Sequence, residues 1–320
     1  MTPLIHIGLP KSLSTWLQLN LFNGESGFKY ALHPGDCANL ITLPGEFSYS
    51  AAAVKQRYFS RVEEYSGQDG EFVPVVSQEN LSGSLAGGGC DGERHLHRLK
   101  SVFPEGKVLI IIREQGAFIR SAYSTLVMTG FPHSIRRLAF PSEDVEREFN
   151  NLRKWGHPGF SYEYLRYDKL VRRYMQAYGR DNVLVLPFEK FASDPEDFVR
   201  NIFAFSGYSG DPEPFLEHLN FERKVNQTAG YLSLAIHRNI TRFIFTNLYN
   251  AGFVNETFRY HRKRIKSIRR LDTWIPDALN QWAEARVERY IRRVTEGEFS
   301  KSNAKLASLI DCDLGKYGYR

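Results

Sequence analysis

The feature that most constrains the fold is an unbroken apolar run, Val108-Leu109-Ile110-Ile111-Ile112. A strand with one wet face alternates apolar and polar residues, whereas this run has no polar residue on either face. It therefore predicts a strand that is buried on both faces of a parallel sheet.

Other segments supply the alternation of strands and helices that such a sheet requires. Strands are predicted at 4–8, 72–77 and 182–187, and helices near 16–22, 51–66, 115–129, 164–178 and 195–206. Pro74 suggests an edge position or an irregularity in its strand. From about residue 228 onward the sequence predicts helices and no convincing strand. We expect an α/β fold with a central parallel β-sheet flanked by helices and a helix-rich C-terminal third.

The 320 residues contain no internal repeat and no linker long enough to divide them. We predict one domain over 1–320, with an α/β core over about 1–210 and a helical part over about 211–320. No apolar run approaches the roughly 20 residues that a membrane-spanning helix needs, and no signal peptide is visible. The three widely spaced cysteines, Cys37, Cys90 and Cys312, predict neither a disulfide scaffold nor a metal site. A cytoplasmic location is expected.

The net charge of +6 is concentrated in one place. Residues 259–270 hold seven basic residues and no acid, so the rest of the chain carries −1. A nucleic-acid-binding protein usually has a broad basic face, and none is predicted here. The basic segment is also compatible with a non-catalytic function, the binding of polyanions or membrane surfaces. The simplest alternative is that it forms a solvated helix.

A predicted strand, turn and helix start at residues 4–22 form the first motif. The turn exposes backbone N–H groups at the positive end of the helix dipole, which favours an anion. It also carries a lysine and three hydroxyls, Lys11, Ser12, Ser14 and Thr15. The pattern G-x-x-x-x-G-K-[ST] is absent, so an ordinary ATP or GTP site is not expected. The alternative is a helix cap beside a surface lysine.

The second motif follows the strand at 108–112. Arg113 comes directly after it, and Ser121 lies eight residues further on, in the following helix. An arginine at the C-terminal end of a parallel strand sits at the edge where such sheets bind ligands. Its forked donors suit a phosphate, and the serine hydroxyl can bind the same anion.

The segment Pro10-Lys11-Ser12-Leu13-Ser14-Thr15-Trp16 resembles the P-K-S-G-T-T-W loop of sulfotransferases that use 3′-phosphoadenosine 5′-phosphosulfate (PAPS). The resemblance implies a P-loop-like fold, PAPS as co-substrate and no metal. It also implies that residues 11–16 (Lys11, Ser12, Leu13, Ser14, Thr15 and Trp16) wrap the 5′-phosphosulfate. Leu13 departs from the family, which usually has glycine there.

Further stretches extend the resemblance from residue 4 to about 207, in the family's order. Arg113 and Ser121 are similar to the family's site for the 3′-phosphate of PAPS. Residues 182–195 are similar to a family strand followed by an Asp-Pro helix start. Arg223 and Lys224 stand where the family often closes a basic loop over the nucleotide.

Glu79 follows the strand at 72–77 and is the candidate general base, with Lys11 as its catalytic partner. Sulfuryl transfer requires a group that takes the acceptor's proton and fixed donors for the charge that develops. The resemblance implies a carbohydrate-type acceptor, since members acting on sugars place a glutamate in such a segment. His33, His95 and His97 remain alternative bases, and a structural role for Glu79 remains open.

The expected function is sulfonate transfer from PAPS to a hydroxyl or amine, on a small molecule or on a carbohydrate or glycoconjugate. A nucleotide or nucleoside kinase is the main alternative. The missing phosphate-loop pattern disfavours it, and Arg113 stands where a Mg²⁺-holding acid would be expected.

Overall fold

The computed structural model describes residues 1–67, 70–139, 160–221, 229–246, 254–255, 267–268 and 270–320. The chain divides into two compact units. The first unit comprises Met1–Glu114, His157–Val225 and Phe299–Arg320, and the second comprises Gln115–Gly156 and Asn226–Glu298. The assignment of a single domain to residues 1–320 stays a prediction.

A five-stranded parallel sheet forms the centre of the first unit. Its strands are β1 (Leu4–His6), β2 (Phe28–Leu32), β3 (Val73–Ser77), β4 (Lys107–Ile112) and β5 (Val183–Pro187), in the order β2-β3-β1-β4-β5. The side chains of the apolar run 108–112 are fully buried in β4. The predicted α/β fold with a central parallel sheet is confirmed, and the predicted doubly buried strand lies inside it.

The prediction for Pro74 is half right. β3 is hydrogen-bonded to a strand on each side, so it does not lie at the sheet edge. The irregularity is present, because the pairing of β2 with β3 shifts register between Tyr30 and Leu32. Pro74 pairs with Lys29 of β2, the strand that does form the edge.

Helices numbered along the whole chain cover the sheet of the first unit. They are α1 (Ser14–Trp16, continued by a π-helical turn over Leu17–Leu21), α2 (Pro34–Cys37, continued over Ala38–Thr42), α3 (Ala51–Ser66), α4 (Gly92–Val102), α6 (Tyr167–Tyr178), α7 (Phe188–Ser193), α8 (Pro195–Ser206), α9 (Glu213–His218) and α12 (Ser300–Ile310). Local sequence explains two of the helix starts: the Ser50 side chain accepts from Ala53 N at 3.2 Å before α3, and that of Asp194 accepts from Asp197 N at 3.0 Å before α8.

The apolar core of the first unit includes residues of β1, α1, β2 and α8, among them Leu4, Trp16, Phe28, Phe198 and Phe203. It fixes α1 against the sheet, and α1 in turn fixes the loop that joins it to β1.

The second unit is mainly helical. Its helices are α5 (Gln115–Met128), α10 (Tyr231–Ile244) and α11 (Asp277–Thr295), which pack against one another. Arg120 of α5 pairs with Glu284 and Glu288 of α11. Two short parallel strands, β6 (Phe245–Thr246) and β7 (Val254–Asn255), show that the expectation of no strand after residue 228 was wrong. Strands of two residues are too short to show a periodicity in the sequence.

Among the described helices, none combines the length and the apolar character needed to cross a membrane.

Candidate active site

The loop between β1 and α1 has an unusual backbone. Lys11 and Leu13 both have positive φ angles, 67° and 66°. For residues other than glycine this left-handed conformation costs roughly 1–2 kcal/mol each. Two such residues two positions apart shape the loop into a tight turn that leads directly into the first turn of α1.

Leu13 therefore adopts the conformation that glycine favours, although it has a side chain. Its φ of 66° and ψ of −4° lie in the left-handed region, at the residue immediately before α1. The leucine side chain packs against the apolar core of the first unit. That packing offsets part of the backbone cost.

Two serine hydroxyls of this loop are buried without a hydrogen-bond partner among the residues that the structure describes. Ser12 is fully buried and Ser14 is 3% exposed. A buried hydroxyl without a partner costs roughly 1–3 kcal/mol. Both lie beside the N–H groups of the first turn of α1, which have no partner within the helix. An anion that accepts from these groups fits the site.

Gly8 leaves room for this arrangement. A Cβ built on Gly8 would lie 2.5 Å from Nε2 of His6 and 2.6 Å from Oγ of Ser14. Contacts this short are not tolerated, so any side chain at position 8 would displace the histidine ring, the serine or the loop. The glycine is required here for space.

The charges of two other predicted site residues, Glu79 and Arg113, influence the pKa of Lys11. Burial lowers the pKa of Lys11, the carboxylate of Glu79 raises it, and the guanidinium of Arg113 lowers it. Three charged groups predicted from separate parts of the sequence are thus close enough to influence one another.

Glu79 begins a short 3₁₀ helix, Glu79–Ser82, directly after β3. The hydroxyl of Ser82 lies 3.2 Å from the carbonyl oxygen of Gly8 and 3.0 Å from that of Glu79, so it ties this helix to the loop after β1. The Glu79 carboxylate has no hydrogen bond or ion pair within the described part of the chain. Burial raises the pKa of Glu79, and the charge of Lys11 opposes this rise.

Arg113 is held at the end of β4 by several contacts. Its Nη1 donates to the carbonyl oxygen of Lys11 at 2.7 Å, and its guanidinium lies 4.6 Å from the centre of the Phe188 ring. The Tyr167 hydroxyl donates to the carbonyl oxygen of Arg113 at 2.9 Å. The guanidinium thus has a fixed orientation beside the loop.

Glu189 supports the backbone next to Arg113. One carboxylate oxygen accepts from the N–H of Glu114 at 3.0 Å, and the other accepts from the Tyr319 hydroxyl at 3.0 Å. Sequence reasoning found neither this support nor the roles of Tyr167 and Gly8. The position of Glu189 just after β5 was the one available signal, because the end of a parallel strand reaches the same sheet edge.

The remaining predicted site residues are placed as follows. Thr15 is half-buried in the first turn of α1, and Trp16 is buried in the core, where its Nε1 donates to the carbonyl oxygen of Asn220 at 3.2 Å. Ser121 lies in α5 of the second unit. Arg223 and Lys224 lie outside the described residues, as does most of the basic segment 259–270.

The alternative histidine bases have local partners. His33 caps α2 together with Asp36. His95 is fully buried, with Nε2 3.7 Å from a carboxylate oxygen of Asp91. His97 is exposed and lies 3.3 Å from a carboxylate oxygen of Glu93. Glu79, in contrast, influences the pKa of Lys11.

Within the described residues no group of three or more His, Cys, Asp or Glu side chains could hold a metal ion.

Comparison with known proteins finds similarity to sulfotransferases. Residues 93–212 match the family model described as the sulfotransferase family. A sulfotransferase from Alicyclobacillus acidocaldarius has a similar structure, with 18% identity, a TM-score of 0.53 and coverage of 99% of this chain and 98% of that one. This likeness shows the fold.

A second solved structure, mouse sulfotransferase SULT7A1 complexed with PAP, is similar over 89% of this chain and 88% of that one, with 13% identity and a TM-score of 0.37. No curated protein sequence matches.

Proposed function

We propose that this chain, of which residues 93–212 match the sulfotransferase family model, is a sulfotransferase that transfers the sulfonate group of PAPS to a hydroxyl or amine of an acceptor. In this proposal the loop after β1 binds the 5′-phosphosulfate, Arg113 binds the 3′-phosphate and Glu79 is the general base. For Ser121, Arg223 and Lys224, a role in nucleotide binding stays a prediction from the sequence.

The donor side of the proposal is supported by the buried hydroxyls of Ser12 and Ser14. Each lacks a partner among the described residues and each can donate to an anionic oxygen. The N–H groups at the start of α1 add donors and a positive dipole at the same place. The residues present therefore fit a phosphosulfate.

The reaction balances with the groups at hand. The acceptor oxygen or nitrogen bonds to sulfur, and its proton passes to the Glu79 carboxylate. The bond between sulfur and the bridging oxygen of the 5′-phosphate breaks, and the electron pair stays on the leaving phosphate. The Lys11 ammonium would stabilise the negative charge that develops on that oxygen.

The single observation that carries the proposal is the electrostatic relation between Glu79 and Lys11. A base without a structural ion pair, close to a cation that can stabilise a leaving group, is the pair that in-line transfer requires. The same observation supports a carbohydrate or glycoconjugate as acceptor. The resemblance links a glutamate base to sugar acceptors, and the Glu79 carboxylate has no ion pair within the described residues that would prevent it from accepting a proton.

The test uses the purified full chain with [³⁵S]PAPS and three acceptors: a neutral oligosaccharide, an amine and a phenol. We expect label on the oligosaccharide or the amine. Glu79→Gln should lower turnover by roughly a hundredfold to ten-thousandfold with donor affinity near that of the wild type. The matched control is Glu217→Gln, an exposed glutamate of α9 that should leave turnover unchanged.

Nucleotide binding separates this proposal from the kinase alternative. Calorimetry should show tight binding of adenosine 3′,5′-bisphosphate and much weaker binding of AMP and ATP, because only the bisphosphate offers both phosphates. Preference for ATP with Mg²⁺, and no transfer of label, would favour a kinase and overturn the proposal.

A further inference from the structure

His6, the last residue of β1, is a fully buried histidine beneath the loop. Burial lowers its pKa from 6.5 to about 3, so the ring is neutral at any pH at which the protein would work. One of its ring nitrogens therefore carries a hydrogen and the other accepts one. The neighbours of the two nitrogens differ.

The neighbours of Nδ1 form a chain of donors. Gln18 Nε2 donates to Ser77 Oγ at 3.3 Å, and Ser77 Oγ lies 2.8 Å from His6 Nδ1. The Ser77 oxygen can accept from Gln18 and donate its own hydrogen to Nδ1 at the same time. In the tautomer that our inference uses, Ser77 donates to Nδ1 and the ring hydrogen is on Nε2.

Nε2 of His6 faces the loop between β1 and α1. It has no hydrogen-bond partner among the described residues, and neither does Ser14 Oγ. Both atoms lie within 2.6 Å of the point that a Cβ on Gly8 would occupy, so they flank the same gap. Two buried polar atoms that lack partners and face each other across a gap can satisfy each other after a small movement.

We propose that His6 is a positioning residue for the donor site: its Nε2–H donates to Ser14 Oγ when an anion occupies the loop, so that the Ser14 hydroxyl donates to that anion. The hydrogen bonds then run in one direction, from Gln18 through Ser77, His6 and Ser14 to the anion. Donors aligned in this way polarise one another and strengthen the last bond in the chain. The inference rests on the proposed function, since the anion is the 5′-phosphosulfate of the donor or the 5′-phosphate of the product.

The alternative is a histidine that only fills space under the loop. Such a residue would affect stability, but it would not make the contribution of Ser14 to binding depend on position 6. The coupling between the two positions is therefore the quantity to measure.

The first test needs no variant. In the ¹⁵N-histidine-labelled full chain, NMR should show the His6 ring with its hydrogen on Nε2, unchanged between pH 5 and pH 8. Addition of adenosine 3′,5′-bisphosphate should shift the Nε2 resonance, because a new hydrogen bond forms there. A hydrogen on Nδ1, or an Nε2 resonance that does not respond to saturating nucleotide, would overturn the proposal.

The second test is a double-mutant cycle read as the Kd for adenosine 3′,5′-bisphosphate. Ser14→Ala and His6→Leu should each weaken binding by about tenfold, and the double variant should be little weaker than either single variant. His6→Gln, which can still donate at the position of Nε2, should recover part of the loss. Ser308→Ala and His218→Leu, both at exposed positions of the first unit, are the matched controls.

The outcomes separate the two proposals. If the wild type does not bind the bisphosphate, the proposed function fails first. If the wild type binds it and the effects of the two substitutions simply add, only the role of His6 is overturned. Should His6→Leu fail to fold, the NMR measurement still tests the proposal, because it uses the wild-type protein.

Discussion

The guanidinium of Arg113 donates a hydrogen bond to the carbonyl oxygen of Lys11 at 2.7 Å. This bond joins the end of β4 to the loop after β1, and it is made to the residue with the first of the loop's two left-handed backbone conformations. Arg113 thus has two tasks in the proposed site: it would bind the 3′-phosphate, and it holds the loop that would bind the 5′-phosphosulfate.

Arg113→Ala should weaken the binding of adenosine 3′,5′-bisphosphate by roughly tenfold to a thousandfold, measured by calorimetry. Because the loop is also released, AMP should bind more weakly too, by a smaller factor. Arg113→Lys should not restore binding, since a single ammonium lacks the planar fork that can serve the carbonyl and a phosphate together. Arg172→Ala, at an exposed position of α6, should bind as the wild type does. Equal affinity of the wild type for AMP and the bisphosphate would contradict the two-phosphate assignment.

Lys11→Ala should lower the turnover rate at saturating donor by about a hundredfold or more, because the charge on the leaving oxygen loses its fixed cation. The matched control is Lys55→Ala, an exposed lysine of α3. Single-turnover kinetics would separate chemistry from product release. A turnover rate like that of the wild type would make Lys11 a binding or structural residue.

The pH dependence of kcat/KM should be bell-shaped and narrow. Activity requires an ionised Glu79, whose pKa lies above the usual 4.5, and a protonated Lys11, whose pKa lies below the usual 10.5. Activity therefore rises with pH through the first value and falls through the second, and both limbs are displaced toward neutral pH. Glu79→Gln should remove the acid limb from the residual activity, and Lys11→Ala should remove the alkaline limb. An acid limb that persists in Glu79→Gln would assign the base to another group.

The sheet and the strand, turn and helix start at residues 4–22 were predictable because both depend on local sequence. The apolar run at 108–112 specifies a doubly buried strand wherever it lies, and the resemblance at residues 10–16 needs no knowledge of distant contacts. The position of Arg113 directly after that strand placed it at the correct sheet edge.

The contacts that complete the site were not predictable in the same way. The bond from Arg113 to Lys11 joins residues far apart in the chain, and no periodicity records it. The left-handed backbone of Leu13 depends on the packing of its side chain into the core, which overrides the local preference for glycine. The pairing of His6 with Ser77 depends on the register of β1 and β3. Such features follow from tertiary structure.

Glu79→Gln should stabilise the protein at neutral pH while it lowers activity. Burial raises the pKa of Glu79 in the folded state, so the folded protein binds this proton more tightly than the unfolded chain. Stability is then lost as the pH rises from the unfolded to the folded pKa, and the neutral amide avoids that loss. Calorimetric melting should give a Tm about 1–3 °C higher than that of the wild type at pH 7, and no difference near pH 4. A lower Tm at pH 7 would indicate that the carboxylate is held by a stabilising interaction.

Leu13 tests the backbone of the loop directly. At an ordinary helical or extended position alanine is more stabilising than glycine, because glycine loses more conformational entropy on folding. At position 13, where φ is 66°, the order should reverse. Leu13→Ala keeps the left-handed cost and loses the packing of the leucine side chain, whereas Leu13→Gly loses the packing and removes the cost. We therefore expect Leu13→Gly to exceed Leu13→Ala in unfolding free energy by about 1 kcal/mol in urea titrations.

Leu13→Gly should also keep nucleotide affinity near that of the wild type, since the N–H groups of the turn stay in place. If Leu13→Ala proved the more stable of the two, residue 13 would not have a left-handed backbone in solution.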